Sequence, residues 1–187
     1  PESVRQAAEP LRAQAAADEA ARVDHLLGFE NKLGQGDVGR GRQIFFGDLA
    51  ACSTCHAVGE EGGRLGPDLT TIGAIRSAHD LLEAILFPSA SFVPDYESYR
   101  VKTDEGVEVG VITRQTPEAI VLMTAADAET FIPRDAITSM TPYSQSIMPE
   151  GLDVALTEEE LVDLIAFLRS LNNEVWLLPE LQNMPAH

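Results

Sequence analysis

Residues 52–56 read Cys-Ser-Thr-Cys-His, and they hold both cysteines of a 187-residue chain with one of its four histidines. Four kinds of chemistry compete for two thiols at this spacing with an imidazole directly after them. A disulfide between them would close a very tight loop. A structural zinc site wants four ligands, usually as two separated pairs, and the chain has no second pair. A thioredoxin-like redox pair needs a βαβ setting, whereas Ala-Val-Gly-Glu-Glu-Gly-Gly after His56 is loop-like. The fourth is covalent attachment of haem, in which the two thiols add to the vinyl groups as thioethers and the histidine ligates iron from below. One short helical turn presents all three groups to one face of the macrocycle, which accounts for their adjacency. The spacing therefore points to one haem c, bonded through Cys52 and Cys55, with His56 as proximal ligand.

Two further stretches bear on such a site. A ligating histidine almost always donates its other ring N–H to an acceptor that fixes the ring. Gly66-Pro67-Asp68-Leu69 follows closely enough to offer a backbone carbonyl, although Gly-Pro also marks an ordinary turn. The opposite face of the iron needs a sixth ligand or a reason to be open. The candidates are Met123, Met140, Met148 and Met184, with His25, His79 and His187. Met123 sits in the strand-like run AIVLMTA, Met140 ends a similar run, and Met184 and His187 lie in the tail. His79 stands near a helix start, as a solvated first-turn residue would. Met148 differs, because it lies in the loop SQSIMPEGLD, braced by Pro149 and followed by a strong helix.

The elements that must position these residues are legible from pattern. Residues 2–30, rich in Ala, Glu and Arg, are expected as a leader or linker helix; Val4, Ala7, Ala8 and Leu11 fit its spacing and Pro10 interrupts it. Asp37 is placed to cap a helix running to Phe46, with Gly47 ending it. Ser77 caps a second helix that stops before Pro88. Thr157 and Glu160 form a capping box for a third, whose stripe is Leu161, Leu164, Ile165 and Leu168, ending at Asn172 or Asn173. Between these helices the period changes to two. YESYRVKT and VEVGVITR flank Asp104-Glu105-Gly106 as a hairpin, AIVLMT and ETFIPRD form a second, and AITSMT is a fifth strand. Residues 95–141 are thus expected to form a small antiparallel sheet or barrel. Lifting it out leaves about half of the separation between His56 and Met148.

Composition bounds the rest. Hydrophobic residues make up 44% of the chain, enough for a real core, and no run of eighteen apolar residues exists, so no membrane span is expected. Thirty acidic and thirteen basic residues give a net charge of −17. Such a surface repels phosphate backbones, which argues against nucleic acid, and it suits either a partner with a basic face or simply a solvated acidic surface with no specific partner. The chain opens with Pro1 and no signal segment follows, so a processed chain or an excised piece of a longer one is expected.

The motifs GRGRQIFF, CSTCH, GPDLT, LLEAILFPSA, YESYRV, SIMPEGL and LTEEELVDLIAFLRSL occur in order across about residues 39–171. Together they resemble a class I type monohaem cytochrome c, and more closely the haem-binding domain family of planctomycete and verrucomicrobial proteins. The resemblance implies a mainly α cytochrome c fold with an inserted small antiparallel β-sheet or barrel and an extra N-terminal helix. Its parts would be an N-terminal helix or linker at 1–36, a haem domain at 37–94 and 142–172, an inserted β subdomain at 95–141, and a tail at 173–187. It further implies that His56 and Met148 are the axial ligands, that Pro67 offers its carbonyl to His56, and that Leu69 packs against the macrocycle. Gly41 and Phe45 would meet the last helix near Leu164 and Phe167. The expected function is electron transfer between redox partner proteins, in the periplasm or otherwise outside the cytoplasm, where such haem is attached. The haem domain could accept electrons from a fused or partner dehydrogenase. A haem-based gas sensor or haem enzyme with a displaceable sixth ligand is the alternative, and an acidic interaction module without haem a third.

Overall fold

A computed structural model describes residues 2–90, 94–126 and 128–172. Helix α1 (Glu2–Glu30) continues through Pro10, and Leu11 on it is 74% exposed. Its C-terminal part is anchored: Leu26 is buried in the helical core, and Arg22 pairs with Glu83 at 3.0 Å. Helix α2 (Val38–Phe46) starts as expected, with Asp37 accepting from the Arg40 N–H. The turn α3 (Cys52–Cys55) is followed by a two-residue ribbon, β1 (Ala57–Val58) and β2 (Glu61–Gly62). A single turn, α4 (Ile72–Ile75), leads to α5 (Ala78–Leu86), where Ser77 and Asp80 make a reciprocal capping box.

Five strands come next: β3 (Ser98–Thr103), β4 (Val107–Gln115), β5 (Ala119–Ala125), β6 (Ala128–Pro133) and β7 (Ile137–Pro142). They lie antiparallel in the order β6-β5-β4-β3-β7. The chain passes from one edge of this sheet to the other through the 3-10 turn Arg134–Ala136. Five flat strands would separate those edges by roughly 19 Å. The turn spans about 14 Å at full stretch, so the sheet must curl. Register shifts at Lys102/Thr103, Ile112/Arg114 and Met123/Ala125 supply the bends. Val101, Ile120, Leu122 and Ile132 form the sheet's own core.

The turn α6 (Leu152–Ala155) and helix α7 (Glu158–Ser170) complete the described chain. Thr157 and Glu160 cap α7 reciprocally, and Leu161, Leu164, Ile165 and Leu168 are all buried. Helix α2 crosses α7 in close contact because Gly41 has no side chain: a Cβ there would stand 2.0 Å from the Asp163 carbonyl and 2.7 Å from Phe167 Cβ. Phe45 fills the space beside it, its ring 5.5 Å from that of Phe167. Asp163 locks the crossing by accepting from the Asp37 N–H at 2.6 Å and from Arg40 Nε at 2.5 Å.

The expectation of a mainly α cytochrome c fold with a small inserted sheet is overturned. The protein is mixed, 45% helical and 24% strand, with a five-stranded antiparallel sheet. The sheet is no decoration, since β4 alone has nine residues and the strands bury a core of their own. Three of the helices, α3, α4 and α6, are single turns of four residues. The extra N-terminal helix is present as α1. No helix among the described residues is long and apolar enough to cross a membrane. The side chains of Val4 and Ala7, together with Met184, His187 and the tail 173–187, lie outside the described residues.

Candidate haem site

The site is built on α3. Ala51, its N-cap, takes a left-handed conformation (φ 48°, ψ 31°), which costs a residue with a Cβ about 1–2 kcal/mol. Backbone bonds hold it there, from its own N–H to the Gly47 carbonyl at 3.1 Å and from the Thr54 N–H to its carbonyl at 3.0 Å. The bend aims the first turn so that Cys52 packs against the helical core. After Cys55 the backbone becomes extended at His56, whose N–H still closes the turn on the Cys52 carbonyl at 2.9 Å.

The following loop folds back over this turn. Gly63 N–H donates to the Ser53 carbonyl, Gly66 N–H to the Cys55 carbonyl and Leu69 N–H to the Ala57 carbonyl, each at 2.8 Å. Gly59 N–H donates to Thr70 Oγ1 at 2.7 Å, and Thr70 is itself tied to Asp68. Gly66 lies flat on the imidazole: a Cβ at that position would stand 2.4 Å from His56 Cε1 and 2.7 Å from Nδ1. The next residue, Pro67, accepts from His56 Nδ1 at 2.8 Å. A carbonyl can only accept, so Nδ1 carries the proton and Nε2 is left with its lone pair. Burial pushes the His56 pKa down and the Pro67 bond pushes it up; burial prevails, so the ring is held in the neutral form that can ligate.

Burial pushes the Cys52 thiol up to about 11, and it raises the Cys55 thiol as well. A nucleophilic thiol of a redox-active pair carries the opposite shift. The sulfurs stand unbonded to each other. Among the described residues no three His, Cys, Asp or Glu side chains converge.

Leu69 and Met148 are half-buried and pack against the same helical core as Cys52, together with Phe46 and Ile72. Met123 and Met140 are strand residues of the sheet, on β5 and β7. His79 is exposed in the first turn of α5, 3.5 Å from Glu30, as its position suggested. His25 stacks on Phe29 at 5.7 Å and faces Asp153 at 3.6 Å. Cys52, Cys55, His56, Pro67 and Leu69 therefore share one folded loop, and Met148 joins two of them on the helical core.

Several residues that support this arrangement were missed from sequence. The Met148 N–H donates to Ser146 Oγ at 3.1 Å, the Ser146 N–H donates to Ser89 Oγ at 3.1 Å, and Ser89 Oγ donates to Glu150 Oε1 at 2.9 Å. The serine two residues before Met148 is a local turn signal. Its partner Ser89, 57 residues away, leaves no trace in sequence. Ala51 gives none either, since the left-handed region usually falls to glycine or asparagine.

No protein-family model matches the chain. No curated protein is significantly similar to it. The likeness drawn above thus rests on the motifs themselves.

The donor set fits a covalently held haem. Two thiols occupy one turn, the adjacent imidazole is fixed through Nδ1 with Nε2 left to ligate, and Cys52, Leu69 and Met148 pack against one apolar core.

Proposed function

We propose that the chain is an electron-transfer protein carrying one c-type haem, bonded through Cys52 and Cys55, with His56 and Met148 as axial ligands. The observation that supports this best is the bond from His56 Nδ1 to the Pro67 carbonyl. It fixes the tautomer and the orientation of an imidazole one residue beyond two free thiols, as a proximal ligand requires. The haem, when bound, supplies a one-electron iron couple.

The chain's own residues tune that couple. The Pro67 carbonyl orients His56 and makes Nε2 a better donor. Met148 offers a neutral, soft sulfur, which favours the reduced metal over any anionic ligand and raises the potential. Leu69 packs against the same apolar core as Cys52 and Met148, and a low-dielectric surround of that kind would disfavour the more charged oxidised state. His25 and His79 are engaged by Asp153 and Glu30, so neither is offered as a distal acid or base. The reading brings with it maturation outside the cytoplasm and partners that present a basic face to a chain of net charge −17.

The test is a redox-titrated spectrum of natively matured protein. Pigment should survive acid–acetone extraction, reduction should give split low-spin bands, and the oxidised form should show a sulfur-to-iron charge-transfer band. Met148→Ala should abolish that band, and Cys52→Ala with Cys55→Ala should release the pigment. Colourless protein, or a charge-transfer band that persists in Met148→Ala, would sink the reading. Carbon monoxide binding by the reduced protein at neutral pH would transfer it to a displaceable sixth site.

A further inference from the structure

The loop that bears Met148 is fastened to a part of the chain far from it in sequence. Ser89 sits just past the end of α5, where Pro88 is buried and the Ala90 N–H returns to the Phe87 carbonyl at 2.9 Å. It is therefore mounted on the helical core. Its hydroxyl serves both of its hydrogen-bonding roles on the 146–150 loop, accepting from the Ser146 N–H and donating to Glu150 Oε1. Ser146 in turn accepts from the Met148 N–H. Pro149 has a fixed φ, and Gly151 turns the chain into α6 with φ 84°. Ser146 and Glu150, two residues to either side of Met148, are thus both tied to the one Ser89 hydroxyl.

We propose that Ser89, acting with Ser146 and Glu150, is a positioning clasp that sets how firmly the Met148 sulfur is held at the iron; this rests on Met148 being the sixth ligand. A loop free to move gives up its sulfur easily to a competing ligand, because restraining it costs conformational entropy at the moment of ligation. The clasp restrains it beforehand. Ser89 and Ser146 touch no iron; they act through the backbone of Met148.

The experiment is imidazole competition for the oxidised iron, on matured full-length protein. It is followed by the shift of the main haem absorption band in every protein, and by loss of the sulfur-to-iron band as well in the wild type, Ser89→Ala and Ser146→Ala, which keep Met148. Imidazole binding should tighten about fivefold for each hydrogen bond removed, so Ser89→Ala should exceed Ser146→Ala. Ser89→Thr, which keeps a hydroxyl, should restore the wild-type affinity. In a Met148→Ala background Ser89→Ala should have no effect, since no sulfur remains to displace. Should Ser89→Ala fail to mature, Ser146→Ala carries the same comparison with its backbone N–H intact. A wild type with the band, whose imidazole affinity is unmoved by both variants, would overturn the clasp and leave the ligand assignment standing. An equal effect of Ser89→Ala in the Met148→Ala background would also overturn it, by placing the change in the pocket at large. A wild type without the band would end the clasp together with the ligand assignment.

Discussion

Gly66 faces the flat of the His56 ring at a distance no side chain tolerates. Gly66→Ala must tilt the imidazole or push the loop away, and either movement strains the bond to the Pro67 carbonyl. The covalent pigment should remain, since both cysteines are untouched, while the low-spin spectrum weakens and the fold loses about 1–3 kcal/mol by overpacking. Visible spectra and chemical denaturation of the variant check both parts. The cysteines give a second measurement at this scale. In unmatured protein Cys52, with a thiol pushed up to about 11, holds roughly one thiolate in a thousand at pH 8. Iodoacetamide should therefore label it far more slowly than an unperturbed thiol, with a rate that climbs tenfold per pH unit up to about pH 10. Mass spectrometry of timed samples reads this directly. The chemistry of residues 52–56 was legible because the three groups are adjacent in sequence. The role of Gly66 was half legible, as a turn before a proline. Ser89 was not legible at all, because its meaning arises only when the chain brings it to Ser146.

Among the elements, the α2–α7 crossing is where the helical unit is most exposed to single changes. Gly41→Val would drive a branched side chain into the Asp163 carbonyl, and thermal unfolding should show a loss at the large end of the overpacking range, about 3 kcal/mol. Asp163 supplies a pH-dependent contribution to the same crossing. Burial pushes its pKa up, but the Arg40 guanidinium and the Asp37 N–H outweigh this and hold it below the ordinary 3.8. A carboxyl lowered in the folded state stabilises the fold above its unfolded pKa and loses that contribution as pH falls through the lowered value. Wild type should exceed Asp163→Ala by about 2–3 kcal/mol from pH 5 to 8. The gap should narrow below about pH 4, as urea denaturation across that range would show. A gap that widened on acidification would remove Asp163 from this role. The caps at Asp37, Ser77 and Thr157 were legible because each is a local bond within four residues. The β1–β2 ribbon was not, for two-residue strands have no period of their own. The weight of the sheet was also misjudged: hairpin signals locate strands but do not reveal that they bury a separate core or curl upon themselves.

Over the whole molecule, the net charge is −17, and the proposed electron transfer makes its effect on a redox partner measurable. Attraction to a basic partner is screened within a Debye length, about 8 Å at physiological salt. Stopped-flow electron transfer with a basic protein should slow tenfold or more between 10 mM and 150 mM ionic strength, whereas transfer with an acidic protein should quicken. Equal rates across that range would mean that partners dock without help from the acidic surface.

The five strands leave and rejoin the helical unit at neighbouring points, where the Tyr143 N–H donates to the Ser98 carbonyl at 2.8 Å. Between those points β4 also reaches the loop after His56, where Val111, Ile112, Thr113 and Gln115 line one cavity with Arg64 and Leu65. The turn at residues 104–106 lies outside both that joint and that cavity, so lengthening it or grafting a module there leaves the separation of residues 98 and 143 unchanged, and that end is open to drift or redesign while residues 52–56 stay where they are.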